Sequence, residues 1–368
     1  MDYNKIKLIL AQNSVFDSFQ FIESMYYFLE LASFSKKIIE DLSKYILDKK
    51  DEEEKKVYDN LQKHKSAEIS AYDTNVLLIN NKIDSYFLIE KNMIDFFQYL
   101  RSAYEAVYQF INSSLFSDDA FNVGDVSYHS IKSKIKNFPI FNSLELLLNN
   151  ITSDSIYQYI TDFNNHVKHI KNISLSVKIS FLIGSNKNID ISEFQKKENK
   201  YDKKDLLDFS NDCLKKVIKD TDDLIDEIIK LVPNTLNTTN RVHDIKMKII
   251  YDKDQNVNSF GYYIDVLDNI SELPSSISIL PLIIHNNEVD FINLEVDTVF
   301  IRDKNDKIIG KAVAEIPYFR NLFLKYRKFN VSSASTIDYF DYYNKLKKNG
   351  YNIKSNYAAI KTTSVFLK

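Results

Sequence analysis

The densest group of side chains able to do chemistry is the run Asp162-Phe163-Asn164-Asn165-His166-Val167-Lys168-His169. If this run is helical, Asn165 and His169 stand one turn apart, and Asp162, Asn165, His166 and His169 share a broad sector. His169 is suited to acid–base work near neutral pH. Cleaving RNA by attack of its 2′-hydroxyl would need such a group, together with a cation facing the charge that develops on phosphate. A second chemistry is metal binding, because Asp162, His166 and His169 fall at i, i+4 and i+7 and their groups suit zinc or iron. A closed site needs a fourth ligand from another element. None announces itself, so no metal is expected. A third reading has these polar groups bonding one another or contacting a partner, since burying them otherwise costs stability.

The segment resembles the HEPN superfamily, helical bundles found as ribonucleases in toxin–antitoxin and phage-defence systems. Their motif places an Arg, often followed by a polar Asn, four to six residues before a His on a late helix. Asn165 and His169 match the Asn-to-His part, and Asn164 stands where the motif has Arg. The resemblance covers roughly residues 82–172, including Tyr99-Leu100-Arg101-Ser102-Ala103-Tyr104-Glu105 on an earlier helix. It implies a metal-independent endoribonuclease whose site, with His169, Asn165 and Asn164, forms across a homodimer. Asn164 supplies no charge, so Lys168 or Arg101 would have to face the phosphate. Helix geometry turns Lys168 away from His169, and Arg101 serves only where its helix packs alongside.

Near the C-terminus, Arg320, Lys325, Arg327 and Lys328 interleave with Tyr318, Phe319, Phe323, Tyr326 and Phe329. Such a stretch can grip single-stranded nucleic acid or lie on a membrane surface. It is also what a helix looks like when Phe319, Leu322, Phe323 and Tyr326 pack inward with the charges outside. His64, His129, His243 and His285 have no partner at motif spacing. With 5 Gly in 368 residues, there is no phosphate-cradling glycine loop, nor is there a nucleophile elbow or a metalloprotease His pair. No cofactor is expected.

Composition bounds the rest. Hydrophobic residues make up 44% and charged residues 27%, the balance of a chain that folds. Trp is absent while Tyr and Phe number 24 and 25, so the core must be built from Leu, Ile, Phe and Tyr. The basic residues are mostly Lys; the arginines are Arg101, Arg241, Arg302, Arg320 and Arg327. That bias, with abundant Asn, Ile and Tyr, is the imprint of an AT-rich bacterial genome, and it singles out each Arg as a candidate for bidentate phosphate recognition. A net charge of -3 argues against a strongly electrostatic nucleic-acid binder but allows a local basic patch. The one cysteine, Cys213, excludes an internal disulfide and a thiolate cluster. No signal-peptide plan opens the chain. The longest apolar runs, such as Ile277–Ile284, are far short of the ~20 residues a membrane span needs. Cytoplasmic residence fits these features.

Apolar residues at three- and four-residue steps predict a helix over Ser14–Lys49; the charged run Asp48–Lys56 reads as a solvated turn plus the first turn of a second helix, which reaches to about Ala71. A long helix is predicted over Asp84–Phe116, a loop over Ser113–Asp125, and short helices near Tyr128–Lys136 and Ser143–Asn149. Another runs from a Ser153 or Asp154 cap to about Asn172. Ser174–Ile183 fits a strand or a helix end, and Gly184–Lys203 reads as a loop or lid. Asp205–Leu231 is helical again.

Pro233–Asn240 is polar and aperiodic, a linker. Beyond it the period becomes two, predicting strands from Ile245 to Tyr251 and near Ser259–Leu267, Ile277–His285, Asn293–Ile301 and Lys307–Ala314, with a turn at Asp303–Asp306. Helices follow over Pro317–Phe329 and Thr336–Lys348, and a last strand lies within Asn352–Phe366. The expected fold is a mainly α N-terminal helical bundle, residues 1–232, followed by a smaller α+β domain, residues 241–368. The expected function is a HEPN-like bacterial defence or toxin-type protein acting on RNA, with Arg101, Lys168, Arg320 and Arg327 as substrate-binding cations. The alternative is a non-catalytic binding, scaffold or regulatory protein of such a system, meeting a protein partner.

Overall fold

A computed structural model describes residues 3–13, 15, 18–65, 74–78, 80–116, 119–177, 188–234, 245–251, 257–265, 273, 275–280, 282–285, 288–291, 298–303, 305, 307–314, 327–348, 352–354 and 364–367. The helical part carries α1 (Tyr3–Gln12), α2 (Phe19–His64), the strands β1 (Asn75–Leu78) and β2 (Asn81–Asp84), then α3 (Ser85–Leu115), α4 (Tyr128–Ile135), α5 (Asn142–Ser153) and α6 (Ser155–His169). Short strands follow: β3 (Leu175–Val177), β4 (Ile189–Ile191), β5 (Phe194–Lys196), β6 (Asn199–Tyr201) and β7 (Lys204–Asp205), leading into α7 (Leu206–Leu231). The C-terminal part holds β8 (Ile245–Tyr251), β9 (Val257–Asp265), β10 (Ser276–Leu280), β11 (Leu282–His285), β12 (Glu288–Phe291), β13 (Thr298–Arg302), β14 (Ile308–Ala314) and β15 (Arg327–Ser333). After these come α8 (Thr336–Lys348), β16 (Asn352–Lys354) and β17 (Ser364–Leu367). A helical part is thus followed by a smaller α+β part.

Two compact units form, and they are not simply the two ends of the chain. One comprises residues 21–110 and 126–227; the other joins residues 1–20 and 111–125 to residues 228–368.

In the first unit, α3 supplies the centre of the core. Ile89, Met93, Phe96, Phe97, Leu100, Tyr104 and Val107 recur at helical spacing and are buried. Phe97 packs on Phe163 at 4.4 Å and on Tyr159 at 5.6 Å, tying α3 to α6. Cys213, Val217 and Leu224 on α7 complete this core, and burial pushes the Cys213 thiol pKa up.

The charged run Asp48–Lys56, expected as a turn and the first turn of a second helix, is instead the interior of one continuous helix, α2. No Gly or Pro interrupts Phe19–His64, and the charges pair along the helix: Lys49 with Glu52 at 2.9 Å, Lys56 with Glu53 at 2.5 Å, and Lys50 with Glu54 at 3.5 Å. Residues 66–73, where the second helix was expected to end, lie outside the described residues.

In the second unit an eight-stranded sheet has the order β16-β8-β9-β13-β14-β15-β10-β17, antiparallel except for the β9–β13 pair. α8 covers part of it: Phe300 is buried 5.1 Å from Tyr339 and 5.6 Å from Tyr342. The β13–β14 turn is held by the Asp303 carboxylate, which accepts from the backbone N–H groups of Asn305 and Lys307.

Several expected elements differ. Gly184–Lys203 is not simply a loop, because it contains β4, β5 and β6. Ile277–His285 falls in two strands, β10 ending at Leu280 and β11 beginning at Leu282. Of the helix expected at Pro317–Phe329, the described residues Arg327–Phe329 belong to β15 instead, paired with β10 and β14. Linker residues 235–240 lie outside the described residues. Among the described residues, no helix is long and apolar enough to cross a membrane.

Candidate functional site

α6 is the frame of the site. Asp154 caps it by accepting from the backbone N–H of Ile156 at 2.8 Å, satisfying one of the unpaired donors at the helix start. Tyr157, Ile160, Phe163 and Asn164 then fall at three- and four-residue steps and are buried. The polar cluster read from the sequence is dealt out among three faces of this helix.

The inward face takes Asn164. Its side-chain amide donates to the carbonyls of Phe97 and Ile160, both at 2.8 Å, and is 7% exposed. Both amide hydrogens are therefore spent, one of them binding α6 to α3. Asn164 acts here as a packing residue.

A second face takes Asp162 and His166, which are covered by the β5–β6 hairpin. Asp162 Oδ2 accepts from Asn199 Nδ2 at 3.0 Å and from the Tyr201 hydroxyl at 2.7 Å. His166 Nδ1 lies 3.1 Å from the Gln195 carbonyl oxygen, and its ring meets Phe194 edge-on at 5.3 Å. Its Nε2 is buried with no hydrogen-bond partner. The three expected metal ligands do not converge: Asp162 and His166 are committed to the hairpin, and His169 is exposed. Among the described residues, no group of three His, Cys, Asp or Glu side chains is placed to hold a metal.

The third face is a row at four-residue steps, Tyr157, Thr161, Asn165 and His169. Asn165 is half-buried and His169 exposed. α3 brings Arg101 onto this row: Nη1 donates to Thr161 Oγ1 at 2.7 Å and to the Tyr157 hydroxyl at 3.3 Å, while Nε donates to Glu105 at 3.0 Å. Burial disfavours its charge, but the oxygens of Tyr157, Glu105 and Tyr108 outweigh that, leaving the pKa above its ordinary value. The condition on which Arg101 could serve, that its helix pack alongside α6, is met. Two turns separate Thr161 from His169, about 12 Å along the helix axis. Arg101 and His169 of one copy therefore share a face without sharing a contact.

Behind Arg101 lies a buried hydroxyl network. Tyr157 and Tyr108 pair through their hydroxyls at 2.8 Å, and the Tyr104 hydroxyl donates to Asp220 at 2.7 Å. Lys216 pairs with Asp220 at 2.5 Å. Burial raises the phenol pKa values of Tyr104 and Tyr108, keeping both neutral. Sequence reading missed this network and Thr161, although the four-residue step from Tyr157 to His169 was there to be seen.

Lys168 is exposed near the end of α6. Arg320 lies outside the described residues; Arg327 begins β15, and its side chain lies outside them.

Residues 243–358 match the model of a family described as a domain of unknown function, DUF8310. That similarity touches the C-terminal part and leaves α6 outside it. No curated protein and no solved structure matches the chain.

Proposed function

We propose that the protein is a HEPN-like, RNA-acting protein of a bacterial defence or toxin system, working in the cytoplasm. Arg101, Asn165 and His169 are its RNA-facing groups. The observation that carries this reading is the placement of Arg101 on the same face of α6 as Asn165 and His169. A guanidinium suits phosphate, an amide can orient it, and an imidazole can exchange a proton near neutral pH. The cation that the HEPN motif carries on the late helix comes here from α3. Because Arg101 and His169 are two turns apart within one copy, cleavage requires a second copy whose His169 approaches this Arg101. The α+β part serves recognition, regulation or assembly.

A second reading, a non-catalytic binding or scaffold protein of such a system, draws on Asn164. The residue at the motif's cation position is consumed in helix packing, so the chemistry of the motif could have been lost while its binding face remained. Incubating the full chain with total RNA, with and without a chelator, separates the two. Chelator-resistant cleavage that disappears in His169→Ala and in Arg101→Ala, with both variants folded, supports the nuclease. RNA binding without cleavage supports the second reading. Cleavage that survives His169→Ala refutes the assignment of this residue, and absence of RNA binding refutes both.

A further inference from the structure

The β5–β6 hairpin is fastened to α6 by charge-assisted and aromatic contacts. Asn199 and Tyr201 donate to Asp162, and the Gln195 carbonyl faces His166. Phe194 stacks with Tyr201 at 4.7 Å and meets Tyr159 and Phe163 edge-on at 5.2 and 5.9 Å. Burial, reinforced by the bond to Asp162, raises the Tyr201 phenol pKa, so it remains a donor. These contacts use the apolar and neutral residues of the hairpin, while Lys197 and Lys200 are exposed and Lys196 is half-buried. Lys203 and Lys204, which follow, rest on neutral partners, the Ser176 hydroxyl at 2.9 Å and the Phe209 ring at 5.6 Å.

Charge is distributed unevenly here. The stretch 193–205 holds the five lysines 196, 197, 200, 203 and 204 against Glu193, Glu198, Asp202 and Asp205, and the excess lies in the hairpin itself, where Lys196, Lys197 and Lys200 stand against Glu198 alone. From Phe163 to Asn172 there are Lys168 and Lys171 and no carboxylate. The one nearby carboxylate on α6, Asp162, already accepts two hydrogen bonds from the hairpin. Lys168, Lys171, Lys196, Lys197 and Lys200 make no ion pair with any described residue. A chain with net charge -3 thus carries a local excess of lysines without ion pairs on the β5–β6 hairpin, where it crosses the C-terminal half of α6. Surfaces of this kind bind polyanions by releasing their condensed counterions.

We infer that the β5–β6 hairpin and the end of α6 form a binding surface for the sugar–phosphate backbone of single-stranded RNA. Lys171, Lys196, Lys197 and Lys200 are its phosphate-facing groups. The inference rests on the RNA reading of the α6 face and extends it to a surface that holds RNA without reading its sequence, beside His169. The compact ammonium groups act as point charges there, in contrast to the bidentate Arg101.

The test is the salt dependence of binding of a fluorescent oligouridine to the full chain. Each phosphate contact on a single strand contributes a slope of about −0.7 in log K against log salt. Lys197→Ala/Lys200→Ala should flatten that slope by about 1.4 and weaken binding about 25-fold near 0.1 M salt. Both side chains are exposed, so the melting temperature should not move. A folded double variant with wild-type slope and affinity overturns the hairpin surface and leaves the RNA reading standing. A wild-type protein that binds no oligouridine at low salt overturns both. Flattening by Lys197→Ala/Lys200→Ala with no flattening by Lys171→Ala places the surface on the hairpin alone and overturns the share assigned to the end of α6.

Discussion

Asn164 offers the sharpest test of how α6 is built, because the proposed HEPN-like reading and the packing ask opposite things of it. The motif asks for a cation at this position, so Asn164→Arg would restore activity if the side chain faced RNA. In the structure the amide is 7% exposed and donates to the carbonyls of Phe97 and Ile160. Both carbonyls sit inside helices and keep the N–H four residues on as a partner. Asn164→Ala therefore loses one bond between helices and leaves a small void, costing about 1–2 kcal/mol. Asn164→Asp keeps the shape but turns acceptors toward two carbonyls in a dry setting. Its cost should reach about 3 kcal/mol. Asn164→Arg must bury a charge or force the helices apart, and should cost at least as much. For folding units of this size, each kcal/mol lowers Tm by about 2–4 °C. The order expected in thermal melts is wild type above Ala, with Asp and Arg both well below. If Asn164→Arg melts with the wild type and raises RNA cleavage, the packing role is refuted and the motif's own arrangement is restored.

Two further outcomes follow from the same structure. Nicking the chain between residues 235 and 244 should leave fragments that elute together without denaturant, because α1 packs on β12 within one unit; fragments that separate under native conditions would refute that unit. Tyr104, Tyr108, Tyr159 and Tyr201 all have raised phenol pKa values, chiefly through burial. Raised folded-state values give stability that is full below the unfolded pKa of about 10 and is lost as pH climbs past it. Unfolding free energy should accordingly fall in the alkaline range, with the phenolate absorbance of these residues rising only as the fold opens. Their ionisation at about pH 10 in the intact protein would contradict their burial.

What could be read from the sequence was whatever local chemistry enforces. Asp154 was legible as a cap, and α7 showed its period because it has a single apolar face, whereas α3 was legible from its apolar content and length although its second half is buried nearly all round. α2 was divided wrongly since a run of charges resembles a solvated turn, yet its Glu and Lys residues are strong helix formers that pair one turn apart. The β5–β6 hairpin was illegible for another reason. Its two-residue connection, Lys197-Glu198, has no Gly, and Lys197 nevertheless adopts the left-handed conformation at φ 53°. Its short strands are set by Phe194 and Tyr201 packing on α6, which is tertiary information.

The site divides along the same line. Spacing placed Asp162, Asn165, His166 and His169 in one broad sector, but the folded helix splits that sector between two adjoining faces, Asp162 and His166 under the hairpin and Asn165 and His169 beside them. The hairpin takes Asp162 and His166, and the core takes Asn164, each through a partner at least 29 residues away in sequence, Gln195 for His166 and Phe97 for Asn164. What remains for a ligand on α6 is Asn165, Lys168 and His169. A guanidinium reaches this face from α3, that of Arg101, ordered by Thr161 and Tyr157. Any chemistry on this face must therefore be organised by the α3–α6 contact and not by the motif on α6 alone. The same contact is the one that Asn164 holds together.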